Sequence, residues 1–268
     1  MGETRPLPCQ SCVALLRTSE KQAWRGDSQH IICGLMHLRT LLSAALALGL
    51  VSTLSAADAP TKPAAKPKSA TGSAAAIEDV AGLPRVLIIG DSISMGYTAP
   101  TRALLKGKAN VHRPPTNCGA TSVGLAGLTQ WLGEKKWDVI HFNFGLHDAK
   151  LPPEGNRHSP PDVYEKNLRE LVARLKATGA KLIWATTTPV PNGGILAPNR
   201  RFGSVEEYNR IARKVMEENG VAIDNLNTAI APRVKEFQIP NDVHFSAAGS
   251  DLLAKHVAAS IESILKPQ

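Results

Sequence analysis

The segment Gly90-Asp91-Ser92-Ile93-Ser94-Met95-Gly96-Tyr97 follows the apolar run Arg85-Val86-Leu87-Ile88-Ile89, and its residue types suit nucleophilic chemistry. Such an arrangement places a serine hydroxyl at the carboxyl end of a buried strand, where a helix should begin. A helix N-terminus offers unpaired N–H groups and a positive dipole end. Both would stabilise an oxyanion forming beside Ser92. A second reading fits the local sequence equally well, in which Ser92 only caps that helix. A third reading, a phosphate-cradling loop, finds little support, because the segment has neither a Gly-Lys-Ser/Thr ending nor a G-x-G-x-x-G pattern. The G-x-S-x-G elbow is also missing, which argues against the α/β-hydrolase fold.

Other chemistries find less support. The pair Cys9-x-x-Cys12 has the spacing of a metal or redox motif, but no second pair or histidine cluster follows at ligand distance. The formal net charge is +8, and residues 82–268 carry 23 Lys/Arg against 17 Asp/Glu, leaving +6. These charges are scattered, and few aromatics are available to stack on bases. The pattern describes a solvated surface with a mild preference for anions, with no nucleic acid as partner.

The elements that would position Ser92 can be read from periodicity. Short apolar runs ending at Gly90, at Asn110–His112, over Trp137–Phe144, over Lys181–Thr187 and over Val221–Asp224 predict five strands. Between them, Val163, Tyr164, Leu168, Leu171, Val172 and Leu175 recur at helical spacing, with Ser159 as the expected N-cap. Residues 205–218 and 247–265 also read as helices. Strands alternating with helices imply an α/β fold, a parallel sheet with helices on both faces. Sites in such sheets lie beyond the carboxyl ends of the strands.

Upstream of this domain the composition changes. Met36-His37-Leu38-Arg39, the apolar run Leu41–Leu54 and Ser55-Ala56-Ala57 form the pattern of a secretory signal peptide, expected over residues 36–57. That makes the chain secreted or periplasmic, with no stable membrane insertion of the mature protein. An uncleaved N-terminal anchor is the alternative. Residues 1–35 show no periodicity and read as a non-native or unstructured extension. Residues 58–81, rich in Ala, Pro, Lys, Thr and Ser, read as a linker to the domain at 82–268. Of the four cysteines, Cys118 alone would survive processing, so no internal disulfide is expected.

Four ordered blocks over roughly residues 84–260 resemble the SGNH hydrolases, also called the GDSL family. Gly90-Asp91-Ser92-Ile93 is close to the family's G-D-S-L. Asn117-Cys118-Gly119-Ala120-Thr121-Ser122 places Gly119 where the family has an oxyanion-hole glycine. Gly145-Leu146-His147-Asp148 stands for G-x-N-D, and Asn241-Asp242-Val243-His244-Phe245 for D-x-x-H. The resemblance implies a three-layer α/β/α sandwich with a mainly parallel, five-stranded, flavodoxin-like sheet. It implies Ser92 as nucleophile, His244 as its base, and an oxyanion hole from the N–H groups of Ser92 and Gly119 and the side chain of His147.

Two positions depart from the family pattern. His147 replaces the oxyanion asparagine; a neutral imidazole can still donate one hydrogen bond. A structural role beside Asp148 is the other possibility. Asn241 occupies the place of the family's acid, with Asp242 one residue later. Asp242 is the expected acid, because a carboxylate stabilises the imidazolium that forms during turnover. Asn241 remains the alternative. The activity implied is ester hydrolysis through an acyl-enzyme, without metal or organic cofactor. The expected substrates are short-chain or carbohydrate O-acetyl esters, carried by a small molecule or glycan. Lipase-like or thioesterase activity, and an inactive glycan-binding domain, are the competing readings.

Overall fold

The computed structural model describes residues 76–151 and 159–266. The expected extension at 1–35, the signal peptide at 36–57 and most of the linker lie outside the described residues. The last linker residues are tied to the domain. The Val80 N–H donates to Asn110 Oδ1 at 2.9 Å, and the Asp79 carboxylate meets Arg85 Nε at 2.9 Å.

In chain order the elements begin with strand β1 (Arg85–Ile89), helix α1 (Ser92–Leu104), β2 (Asn110–His112), α2 (Thr121–Leu132), β3 (Val139–Phe142) and β4 (Lys150–Leu151). They continue with α3 (Pro161–Lys176), β5 (Lys181–Ala185), β6 (Ile195–Leu196), β7 (Arg200–Phe202), α4 (Val205–Glu218) and β8 (Ala222–Asp224). Helices α5 (Leu226–Ile230), α6 (Val234–Phe237) and α7 (Ala247–Leu265) complete the chain. One five-stranded sheet runs β2-β1-β3-β5-β8, with every neighbouring pair parallel. Its central strands β1, β3 and β5 are buried along nearly their whole length, as a sheet covered on both sides requires.

Two apolar layers enclose the sheet. Leu128 of α2, Leu168, Leu171 and Leu175 of α3, and Tyr208, Ala212 and Val215 of α4 pack with Leu87, Ile140 and Trp184 on one face. Tyr97 of α1, Leu226 and Ile230 of α5, and Leu253, Val257 and Ile261 of α7 pack with Val86, Ile88 and Ile183 on the other. This is the expected three-layer sandwich. The chain passes from β1 to β2 on one side and then to β3 on the other, so the topology switches direction between β1 and β3. The crevice at such a switch point is where open α/β sheets bind their ligands.

The five strands and the three long helices stand where periodicity predicts them. Three features differ. Helix α3 begins at Pro161 with Pro160 at the cap and no side-chain cap bond. Ser159, the expected cap, is buried; its N–H donates to the Asp148 carbonyl and its own carbonyl accepts from the Tyr208 hydroxyl. The proline at the first helical position removes one of the unpaired N–H donors and presets a helical φ. Helix α2 carries two glycines and a weak apolar stripe, and the periodicity argument passes over it. A second, antiparallel sheet, β4-β7-β6, rises from the loops after β3 and β5. Its strands of two or three residues are too short for alternation to show. Among the described residues no helix is long and apolar enough to cross a membrane.

Candidate active site

Helix α1 starts directly after β1, and its cap is Asp91. The Asp91 carboxylate accepts the Ile93 N–H at 2.9 Å. Ser92 is therefore the first helical residue, its hydroxyl is not used for capping, and the alternative reading of Ser92 as the N-cap is set aside. At that position the Ser92 N–H has no acceptor within the helix. Burial pushes the Asp91 carboxyl up, against the N–H bonds and nearby cations that pull it down.

The loop that follows β2 is stapled to the end of β1. Buried Arg113 reaches with one nitrogen to the Gly90 carbonyl and the Ser94 hydroxyl, both at 3.2 Å, and to the Thr116 carbonyl at 3.3 Å. The Cys118 N–H donates to the Gly90 carbonyl at 3.2 Å. Gly119 follows with φ of +62°, a left-handed conformation that favours glycine. Its N–H donates to Asn117 Oδ1 at 2.9 Å, so the amide expected in the oxyanion hole already has an internal acceptor.

The turn after β3 carries Gly145, Leu146, His147 and Asp148. Gly145 has φ of +147°, and a β-carbon there would sit 2.6 Å from Thr187 Oγ1. Asp148 is fully buried and accepts from both the N–H (3.0 and 3.1 Å) and the hydroxyl (2.6 Å) of Thr121. It therefore holds the N-terminus of α2, where a carboxylate is favoured by the helix dipole. His147 is half-buried in this turn.

His244 stands in the turn between α6 and α7, and the Ser246 hydroxyl caps α7 by accepting the Gly249 N–H at 3.2 Å. His244 Nε2 lies 2.7 Å from Ser92 Oγ, and Nδ1 lies 2.8 Å from Asp242 Oδ1. An ionised carboxylate only accepts, so Nδ1 carries the proton and Nε2 accepts from the serine hydroxyl. Asp242 Oδ1 also takes the N–H groups of Val243 at 2.6 Å and His244 at 3.3 Å, and Arg200 Nη1 at 3.4 Å. Burial would raise the Asp242 carboxyl, but the bonds from His244 and Val243 outweigh it and hold it below the ordinary carboxylate value of 3.8. Asn241 turns away from the ring. Its φ is +57°, and its side-chain oxygen accepts from Asn192 Nδ2 at 3.0 Å.

Of the residues singled out in the sequence, Ser92, His244 and Asp242 come together in one hydrogen-bonded chain. Gly119 and His147 lie on the loops after β2 and β3. Sequence reasoning missed Asn117, Arg113 and Arg200. Arg113 and Asn117 flank the Gly119 block, but nothing in the sequence separates them from ordinary loop residues. Arg200 lies in an insertion that no motif marks. A small apolar cluster joins these loops: Leu146, Leu196, Phe202 and Val243, with Ile93 and Val190 packed against it.

This chain belongs to the GDSL-like Lipase/Acylhydrolase family, whose model matches residues 88–252. An arylesterase of Vibrio mimicus is 29% identical over 121 residues, which are 41% of this chain and 58% of that protein. The match thus spans less than two thirds of that relative. Among solved structures, a lipase/acylhydrolase from Enterococcus faecalis superposes with a TM-score of 0.59 at 22% identity, over 69% of this chain and 99% of its own. An acetylxylan esterase from Geobacillus stearothermophilus gives 0.56 at 23% identity, over 66% and 94%. At such identities these two likenesses establish the fold.

Proposed function

We propose that this protein is an exported serine esterase that hydrolyses short-chain or carbohydrate O-acetyl esters. The observation that carries the reading is the chain Ser92 Oγ–His244–Asp242, with its two contacts of 2.7 and 2.8 Å. His244 Nε2 takes the hydroxyl proton as Ser92 Oγ attacks the ester carbonyl, and Asp242 stabilises the imidazolium. The tetrahedral oxyanion receives the Ser92 N–H at the start of α1. It also receives the Gly119 N–H, which exchanges the Asn117 side chain for the oxyanion, and the His147 ring. Collapse expels the alcohol, which takes its proton from His244. Water, deprotonated by His244, then releases the acid and restores Ser92.

The preference for a glycan-borne ester follows the acetylxylan esterase whose fold this chain shares, with no aromatic platform at the serine among the described residues. Among the described residues, every Phe and Tyr, together with Trp184, is buried; Trp131 and Trp137 are the aromatics that stay partly exposed. Both lie at the end of the sheet away from Ser92, where the Arg85 guanidinium stacks on the Trp137 ring at 4.0 Å and Trp137 Nε1 donates to the Leu132 carbonyl at 2.9 Å. The Gly119 N–H already bonded to Asn117 favours a second reading, a glycan-binding domain without turnover. Turnover on p-nitrophenyl esters of increasing length and on acetylated oligosaccharides separates the two. Release of acetate supports the first, and glycan binding without release supports the second. Export rests on the 36–57 pattern, and N-terminal sequencing of exported protein should begin near Ala57 or Asp58.

A further inference from the structure

We propose that Arg200 is a positioning residue of this site: from the small antiparallel sheet it holds the Asp242 carboxylate in line with the His244 ring. The inference rests on the serine-esterase reading above. The acid lies two residues before the histidine, so its carboxylate curls back onto the N–H groups of Val243 and His244. The backbone of the turn is closed by the Ile239 N–H to the His244 carbonyl at 2.8 Å and the Asp242 N–H to the Ile239 carbonyl at 3.0 Å, but these bonds leave the outer side of the carboxylate to other partners.

The insertion between β5 and α4 braces the turn from that side. Arg200 on β7 reaches Asp242 Oδ1 at 3.4 Å, while its Nε donates to the Ala197 carbonyl at 3.3 Å. Asn192 of the same insertion holds Asn241, the preceding residue of the turn, at 3.0 Å. Leu196 and Phe202, flanking Arg200, pack on Val243 between the acid and the base. Two polar contacts and one apolar contact thus fasten the insertion to the turn of Asp242 and His244.

The guanidinium also acts through charge. Arg200 and the His244 ring approach the same carboxylate oxygen, at 3.4 and 2.8 Å. The guanidinium and the ring thus hold one carboxylate oxygen between them. The other groups facing the ring are Asp242 itself and, from the start of α1, Ser92 and the Asp91 carboxyl. The turn after β3, whose Leu146 packs on Val243, carries His147.

The test is the rate at which a fluorophosphonate labels Ser92 in the full chain. In Arg200→Gln and Arg200→Met the rate should fall by about threefold to fivefold, and Arg200→Lys should bring most of it back. Rates equal to wild type in both variants would overturn the role. A wild-type protein that does not label at all would instead sink the esterase reading. In that case the downfield proton resonance of the His244–Asp242 hydrogen bond decides for Arg200. It should shift in Arg200→Gln and return in Arg200→Lys, and an unchanged resonance would overturn the role without any turnover.

Discussion

Replacing Asp242 by Asn keeps the size and shape of the side chain and removes one charge. That charge sits 2.8 Å from His244 Nδ1. At an effective dielectric of about 20, an imidazolium at that distance is stabilised by about 6 kcal/mol. The two side chains are 39% and 30% exposed, and solvent screening at roughly twice that dielectric reduces the figure to about 3 kcal/mol. Since 1.36 kcal/mol is tenfold in rate, Asp242→Asn should lower kcat by about 10² to 10⁴. The acid end of the expectation also includes the wrong ring tautomer, because an amide can donate where the carboxylate only accepts. Asn241→Ala is the matched control. It removes the contact with Asn192 but touches nothing on the ring, so kcat should fall less than about threefold. The assay is p-nitrophenyl acetate turnover across pH, with circular dichroism to confirm folding. Asp242→Asn turning over within about threefold of wild type, or Asn241→Ala proving the more damaging, would refute the assignment of Asp242 as the acid.

Asp242 should also show in acid stability. Its carboxyl is held lower in the folded protein than its ordinary 3.8. Its contribution is then fully present above that value and is lost as pH falls through the lower folded value. Acid titrations followed by circular dichroism should show this loss in wild type and its absence in Asp242→Asn. Burial pushes the Cys118 thiol up to about 11, so it should resist an aromatic disulfide reagent at pH 8 in the folded protein and react promptly after unfolding in denaturant. Rapid reaction in the native state would mean that the Gly119 loop opens. Gly145→Ala combines a glycine-type φ with a β-carbon 2.6 Å from Thr187 Oγ1. It should cost about 2 kcal/mol and lower Tm by roughly 4–8 °C in thermal melts.

The layers of the fold were legible because they follow from side-chain periodicity. Residues 85–89 and 181–185 are apolar on both faces, which only a covered parallel strand tolerates, and 205–218 shows a clear helical stripe. Where periodicity is short or diluted, the sequence is silent. Helix α2 carries Gly124 and Gly127, and Gly124 is small because Phe144 lies where its β-carbon would stand. That is a tertiary requirement with no local trace. The motif blocks placed Ser92 and His244 at strand and helix ends. The choice between Asp242 and Asn241 needed the backbone, since φ of +57° at Asn241 sends its side chain toward Asn192. Arg200 and Arg113 act across many residues of sequence, and no spacing rule connects them to the serine they support.

The central claim is that Ser92 is a nucleophile activated by His244. The most direct test is mass-spectrometric mapping of a fluorophosphonate adduct on the folded chain, in wild type, Ser92→Ala and His244→Ala. The account predicts one adduct, on Ser92, absent in Ser92→Ala and formed several orders of magnitude more slowly in His244→Ala. An adduct on another serine, or labelling of Ser92 at full speed without His244, would contradict it.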